Sequence, residues 1–172
     1  MAVVSTILLL TENALLPHDV ERLKSLYGDS DSTFHVCVPA RTDEGALAQA
    51  DEIIDDVSRT EFTQLRDDVE GDDRTPVELT QRAKRHLASS VADLTAAGLT
   101  ADGELVPESP VERVVAIAAE RQADEIIVVT SQHWLEEVLR RDWATRIHRQ
   151  LKHEHREVPL LHFIAGTDTV VS

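Results

Sequence analysis

Two kinds of hydrophobic segment alternate along the chain. Short, continuous apolar runs rich in β-branched residues predict strands buried on both faces, which is typical of a parallel sheet. Longer segments, with apolar residues three and four positions apart, predict amphipathic helices. The predicted strands are residues 3–10, 32–38, 104–106, 125–129 and 158–165.

The segments between these strands carry helix start and stop signals. The first predicted helix covers about residues 14–27 and ends at Gly28. Thr-Pro-Val-Glu at 75–78 and Ser-Pro-Val-Glu at 109–112 each place a hydroxyl N-cap before a proline, with a glutamate three residues after the cap. Strands that alternate with helices predict right-handed parallel crossovers. We therefore expect a single α/β domain with a doubly wound sheet.

Residues 41–75 depart from this alternation. Paired acidic residues recur there between single apolar positions, which predicts an acidic helical insertion at the periphery of the domain. The acidic pairs lack the regular spacing of a calcium loop, so a solvated surface segment is favoured over a cation or partner site. We expect the domain to fold cooperatively without residues 43–73.

The composition narrows the functional classes. The 172 residues are 42% hydrophobic but only 3% aromatic, so the core must be mainly aliphatic. A formal net charge of −15 opposes general attraction to nucleic acid or to an anionic membrane. The single cysteine, Cys37, cannot form an internal disulfide and fits a buried position. No apolar run has the length of a membrane span and residues 1–10 lack signal-peptide features, so we expect a cytoplasmic protein.

No catalytic or metal-binding motif is visible. The sequence contains neither the glycine-rich phosphate-loop motifs nor a Gly-x-Ser-x-Gly nucleophile motif, so we expect no enzyme; a hydrolase or transferase is the least favoured alternative. His153 and His155 are two residues apart, and chelating pairs on a helix are three or four apart. The histidines near the C-terminal end, His148, His153, His155 and His162, therefore predict no metal site.

One segment of this acidic chain is basic. Its cations are Arg140, Arg141, Arg146, Arg149, Lys152 and Arg156. They can neutralise the chain's own acidic insertion or the negative end of a helix, which is the favoured interpretation. The alternative is a site for an acidic partner or a phosphorylated ligand.

Several stretches together resemble the universal stress protein family. They are TILLLTEN at 6–13, STFHVCV at 32–38, ELVPESPVERVVAIAAERQADEIIVVTS at 104–131 and VPLLHFI at 158–164. The resemblance covers the chain apart from residues 41–75. It implies a five-stranded sheet in the order 3-2-1-4-5, a dimer in many members, and bound ATP in some.

The ATP-binding motif of that family is degenerate in this sequence. Members that bind ATP carry Gly-x2-Gly-x9-Gly-Ser/Thr, starting at the end of strand four. Laid on this sequence without a gap, the four motif positions fall on Thr130, His133, Trp143 and Ala144. Glycines allow backbone N–H groups to approach phosphate oxygens, and an indole is expected to occupy that space. The resemblance therefore implies a closed phosphate site.

Two hypotheses for function follow. The first is a non-catalytic universal stress protein-like module without a cofactor, which acts through protein contacts and forms a homodimer through the strand Val158–Ala165. The second is a small-ligand or nucleotide-binding protein with a pocket at the end of strand four. That pocket would use Thr130, Ser131, His133 and the arginine cluster in place of glycines. The family's adenine-side acid falls on Thr11 or Glu12, and only Glu12 keeps the charge.

Overall fold

The computed structural model describes residues 4–40, 76–130 and 143–171. Within these ranges, strands and helices alternate as the hydrophobic pattern predicts. In chain order the elements are β1 Ser5–Thr11, α1 Pro17–Tyr27, β2 Ser32–Ala40, α2 Pro76–Ala96, β3 Thr100–Pro107, α3 Val111–Glu120, β4 Glu125–Thr130, α4 Trp143–His153, β5 Leu160–Ile164 and β6 Val170–Val171.

Five parallel strands form the sheet in the order β3-β2-β1-β4-β5, which confirms the predicted fold class. β1 pairs with β2 through Ile7↔Phe34 and with β4 through Leu9↔Ile127. β6 adds a short antiparallel strand beside β5, which the sequence analysis did not predict. The chain order changes direction at β1 and β4, and ligands of doubly wound sheets bind at the carboxyl ends of strands near such a point.

The hydrophobic core has two halves, one on each face of the sheet. On one face, Leu8 and Leu10 of β1 pack in a cluster with residues of α3 and α4. On the opposite face, Ile7 and Leu9 pack in a cluster with residues of α1 and α2. Apolar residues at consecutive positions are needed because both faces of a central strand are buried. The aliphatic core expected from the composition is confirmed.

β3 is longer than the predicted segment 104–106, because Asp102 and Gly103 lie within the strand and do not form a turn. Gly103 pairs with Val36 in the parallel register. A Cβ at Gly103 would lie 2.5 Å from the Val36 carbonyl oxygen and 2.6 Å from Leu87 Cδ1. The glycine therefore permits a close approach of strand and helix, which a sequence pattern cannot distinguish from a turn signal.

The start signals of the two later helices have different outcomes. α3 begins at Val111, and Pro110 before it has helical dihedral angles of −83° and −9° without a side-chain capping bond. Pro110 accepts the N–H of Val114 at 2.8 Å and so lies in the first helical turn, as the start signal predicts; the hydroxyl cap at Ser109 stays a prediction. The cap predicted at Thr75 and the insertion at 41–75 lie outside the described residues, and both stay predictions. Among the helices that the structure describes, none combines the length and the apolar character that a membrane-spanning helix requires.

Candidate functional site

The loop between β1 and α1 lies at the carboxyl end of the sheet, and its backbone N–H groups are bonded to the chain's own side chains. The N–H of Ala14 donates to Nδ1 of His86 at 3.0 Å, and the N–H of Leu15 donates to Oγ of Ser90 at 3.0 Å. His86 and Ser90 are one turn apart on α2, so they face the same loop. Backbone N–H groups of this kind form anion cradles when they point at a ligand. Here helix α2 accepts their hydrogen bonds.

The hydrogen bonds of His86 fix its tautomer. Because Nδ1 accepts from a backbone N–H, the neutral ring carries its proton on Nε2. Nε2 lies 3.1 Å from Nε of Arg82, which is also a donor, so we interpret this approach as a packing contact. The His86 ring therefore serves as the acceptor for the Ala14 N–H.

A small cavity adjoins the same loop. Its volume is about 170 Å³, and it lies between the ends of β1 and β2 and helix α2. The lining residues are Glu12, Asn13, Pro39, Leu79, Arg82, Ala83 and His86. Pockets for drug-sized ligands usually measure roughly 300–1,000 Å³, so this cavity has room for one ring system and not for a whole nucleotide.

Thr130, at the end of β4, is bonded to the neighbouring strand. Its Oγ1 lies 2.8 Å from Nε2 of His162, and its carbonyl accepts the N–H of Ala165 at 2.8 Å. The register Thr11↔Val129 places Glu12 and Thr130 at the carboxyl ends of adjacent strands, but of these two only Glu12 lines the cavity. Ser131 and His133 lie outside the described residues. The structure thus brings Glu12 together with residues of α2.

Trp143 and Ala144 begin helix α4 and are buried, with exposed fractions of 4% and 8%. Both belong to the core cluster between the sheet and helices α3 and α4, together with Val114 and Ile117. The sequence analysis expected the indole to fill phosphate space, whereas the structure gives it a packing role. The four degenerate motif positions remain a prediction about nucleotide binding.

Helix α1 fastens the turn between β5 and β6. The guanidinium of Arg22 donates to the carbonyls of Thr167 and Asp168 at 2.9 and 3.0 Å, and its carbon lies 4.0 Å from the Phe163 ring centroid. Buried Asp19 accepts the N–H of Gly166, a residue with a positive φ of 73°. β6 is thereby held against the edge of β5. The sequence analysis missed this clamp because its partners lie about 147 residues apart.

A second polar network crosses the opposite edge of the sheet, and the sequence analysis missed it as well. His35 is buried in β2, and its Nδ1 and Nε2 lie 2.8 Å from Asp102 and 2.9 Å from Glu104. Carboxylates only accept, so both bonds form together when each ring nitrogen carries a hydrogen. Arg113 and Arg121 of the α3 region bind the same two carboxylates. A histidine inside an apolar strand, opposite acids spaced two apart, is the signal that could have revealed the network.

The network shifts the ionisation of its members. Burial opposes ionisation of Asp102 and Glu104, but the hydrogen bonds from His35 and the nearby arginines outweigh it and lower the pKa of both carboxyl groups. Burial raises the pKa of the Cys37 thiol to about 12. Cys37 is therefore a protonated core residue at neutral pH, as its apolar context predicts. Within the three described ranges, no group of His, Cys, Asp and Glu residues is placed to hold a metal ion.

Comparisons with known proteins identify the fold. No protein-family model matches the chain, and no curated protein matches it in sequence. Among solved structures, hypothetical protein MJ0577 aligns with a TM-score of 0.59 at 16% identity, over 96% of this chain and 98% of that one. A universal stress protein from Archaeoglobus fulgidus aligns with a TM-score of 0.52 at 12% identity, over 94% of each chain. The chain therefore has the fold of the universal stress proteins.

Proposed function

We propose that this protein is a non-catalytic module of the universal stress protein type, which acts through protein contacts and does not bind ATP. One observation carries the proposal: the N–H groups of Ala14 and Leu15 are already bonded to side chains of helix α2. Catalytic inactivity and a cytoplasmic location belong to the same proposal and rest on the sequence.

The phosphate groups of ATP would lose hydrogen bonds at the degenerate motif after β4. Each missing hydrogen bond to a charged phosphate weakens binding by about 1.5–3 kcal/mol, so the loss of two or three converts micromolar affinity into millimolar affinity. A phosphate that recruited the loop N–H groups would also displace His86 and Ser90, and Ser90 is fully buried. The first effect acts at the degenerate motif after β4, and the second acts at the carboxyl end of β1.

Isothermal titration of the full chain with ATP and Mg²⁺ tests the proposal. We expect a dissociation constant of about 1 mM or weaker. Inorganic triphosphate is the control, because attraction between phosphate groups and the cations of the chain alone would give both ligands a similar, weak affinity. A dissociation constant for ATP below about 10 µM, with triphosphate at least about tenfold weaker, would contradict the proposal.

The cavity beside Glu12 supports a second candidate, the binding of a small ligand. It holds a carboxylate, an amide and a guanidinium around about 170 Å³, with Pro39 and Leu79 as apolar walls. A single-ring compound that both donates and accepts hydrogen bonds fits this lining. Native mass spectrometry of the purified chain tests this candidate, because a bound compound of that size adds its mass to the protein. A bare protein mass would favour the first candidate.

We also propose a homodimer through the C-terminal edge of the sheet, with one correction to the sequence analysis. The edge of β5 pairs with β6 of the same chain, so β6 is the outer strand of this edge. Phe163 is buried beneath Arg22, so Phe163→Lys would unfold the protein before it could report on an interface. Val170 is 47% exposed on β6, and Val170→Lys tests the same edge without loss of core.

Light scattering at tens of micromolar measures this interface. We expect a dimer mass for the wild-type chain and a monomer mass for Val170→Lys, because a charge on an edge strand opposes strand pairing. Val77→Lys, at a position on α2 that is 68% exposed, is the control and should keep the dimer mass. A wild-type monomer would contradict this part of the proposal.

A further inference from the structure

A groove at the end of helix α4, which we call the α4 groove, is a separate surface that a partner protein could bind. Its volume is about 490 Å³. His148, Lys152 and Arg156 line it together with the carboxylate of Glu157, and its apolar lining, which we call the floor, consists of Leu151, Val158 and Pro159. The groove lies where α4 leads into β5, on the opposite side of the sheet from the cavity beside Glu12. It is therefore separate from the site considered above.

The cations of this groove have no carboxylate partner in the part of the chain that the structure describes. Neither Lys152 nor Arg156 takes part in its ion pairs. In contrast, Arg113 and Arg121 each bind carboxylates of the His35 network. A chain with a net charge of −15 thus keeps cations in this groove that form no ion pair among the described residues, with the carboxylate of Glu157 in the same lining.

Helix capping does not account for these cations. The last carbonyls of α4 accept backbone N–H groups: Leu151 O binds Arg156 N at 2.9 Å, and Lys152 O binds His155 N at 3.1 Å. His155 has a positive φ of 57°, which is typical of this helix ending. The basic side chains are left to interact with the helix end only through its dipole, an effect that solvent screens at exposed positions. The helix-end part of the interpretation favoured by the sequence therefore loses support, whereas neutralisation of residues 41–75 lies outside the described residues.

The shape and chemistry of the groove favour an acidic peptide. His148, Lys152 and Arg156 follow one another at intervals of four residues, beside the apolar floor. Long cationic side chains at exposed positions make single contacts that are individually weak, so a small anion gains little from them. An extended segment with several carboxylates gains from several contacts together and can insert an apolar side chain above Leu151 and Val158. The net charge of the whole chain repels nucleic acid, which is a much denser polyanion.

We propose that the α4 groove binds an acidic peptide segment of a partner protein, with carboxylates on His148, Lys152 and Arg156 and an apolar anchor residue on the groove floor. This inference rests on the proposed function, because it names the partner of a module that acts through protein contacts. The partner segment alternates acidic residues with Leu, Val or Ile. Recognition is electrostatic at the rim and hydrophobic at the floor.

Fluorescence anisotropy with the full chain tests the inference. The probe is a labelled peptide of repeated Glu-Glu-Leu units, and a Glu-Glu-Ser peptide of equal charge is its control. We expect binding of the first peptide and about tenfold weaker binding of the second, since the floor buries one leucine side chain. Raising the salt from about 0.05 M to about 0.5 M should weaken binding further, because the Debye length falls.

A pair of charge-reversed variants locates the site. Lys152→Glu with Arg156→Glu should weaken peptide binding about tenfold or more, as each reversal replaces attraction by repulsion. Lys84→Glu with Arg85→Glu changes the net charge equally at exposed positions of α2 and should change binding less than about twofold. Equal losses in both variants, no peptide binding by the wild-type chain, or preferential binding of a short DNA duplex would overturn the inference.

One further outcome concerns the chain's own acidic residues 41–75. The Lys152→Glu, Arg156→Glu variant could unfold at a clearly lower temperature than the Lys84→Glu, Arg85→Glu variant. If the wild-type chain also binds no peptide, Lys152 and Arg156 neutralise the chain itself, and the inference is wrong. An ATP titration of the same sample separates the two proposals. Tight ATP binding with peptide binding intact contradicts only the exclusion of ATP, and absence of both contradicts only the inference.

Discussion

The carboxyl end of β1 and the α4 groove are both polar surfaces, but their polar atoms are used differently. At the end of β1, the N–H groups of Ala14 and Leu15 and the side chains of His86 and Ser90 satisfy one another. In the α4 groove, Lys152 and Arg156 form no ion pair with the described parts of the chain, although Glu157 lines the same groove. The first surface is part of the folded structure, and the second is available for recognition.

The difference shows why position in a fold is a weak guide to function. The carboxyl end of a doubly wound sheet is the usual ligand site, yet here the neighbouring helix α2 takes the hydrogen bonds that a ligand would need. Substitutions at the first surface should therefore change stability, and substitutions at the second should change binding alone.

The largest effect is expected for Trp143→Ala. The indole is 4% exposed in the core cluster, so its removal should lower the free energy of unfolding by roughly 3–5 kcal/mol. Lys152→Ala, at an exposed position on the same helix, should change it by less than about 0.5 kcal/mol. Urea denaturation measures both. A fully stable Trp143→Ala variant would mean that this residue is not part of the core and that its phosphate-blocking role must be reconsidered.

An intermediate effect is expected for Ser90→Ala. Ser90 is fully buried, and its loss leaves the Leu15 N–H without an acceptor, at a cost of about 1–3 kcal/mol. Ser89→Ala removes the same hydroxyl from an exposed neighbouring position and should be close to neutral. The comparison of the two urea midpoints tests whether helix α2 closes the loop. If the two variants have equal midpoints, the hydrogen bond from Leu15 to Ser90 does not stabilise the loop, and the structural reason for excluding a phosphate group from this loop is lost.

The smallest effect is expected for the stability of the folded chain at acidic pH. The folded chain has lowered pKa values at Asp102 and Glu104, so their ionised forms stabilise the native state above pH of about 4 and this contribution is lost as the pH falls below it. The variant Asp102→Asn, Glu104→Gln should therefore lose less stability between neutral pH and pH of about 3 than the wild-type chain. Both side chains are partly exposed, so solvent screening keeps the difference small.

The matched control for the acid experiment is Asp93→Asn with Glu112→Gln. Both residues are exposed on helices and are outside the His35 network. This control should follow the wild-type pH profile of the unfolding midpoint. If the control and the network variant flatten the profile equally, the stabilising carboxylates are not specific to the network.

The order of the sheet could be predicted from the sequence because two independent signals agree. Continuous apolar runs such as 125–129 identify the central strands, and the resemblance supplies their order. The predicted start of β3 is wrong because glycine has two common uses. Gly103 is typical of a turn, but in the structure it allows close packing between β3 and Leu87. Sequence patterns report residue type, and the distance between two elements decides its use.

The site could be predicted only in part. Glu12 was found because it directly follows β1, whereas His86 and Ser90 were missed although they bond the adjacent loop. Their hydrogen bonds join residues 72 and 75 positions apart, and no local pattern encodes such a pair. The cations of the α4 groove were visible in the sequence, but their lack of a partner is a property of the folded chain.

The most direct test of the central claim is a titration of the isotope-labelled chain with ATP and Mg²⁺, followed by amide NMR. The claim is that the N–H groups of the loop after β1 already have acceptors in His86, Ser90 and Asp19. The account predicts that the amide signals of Ala14, Leu15 and Leu16 exchange slowly with solvent and do not move at ATP concentrations up to about 1 mM. Rapid exchange of these amides, or a saturating shift at about 10 µM ATP, would contradict it.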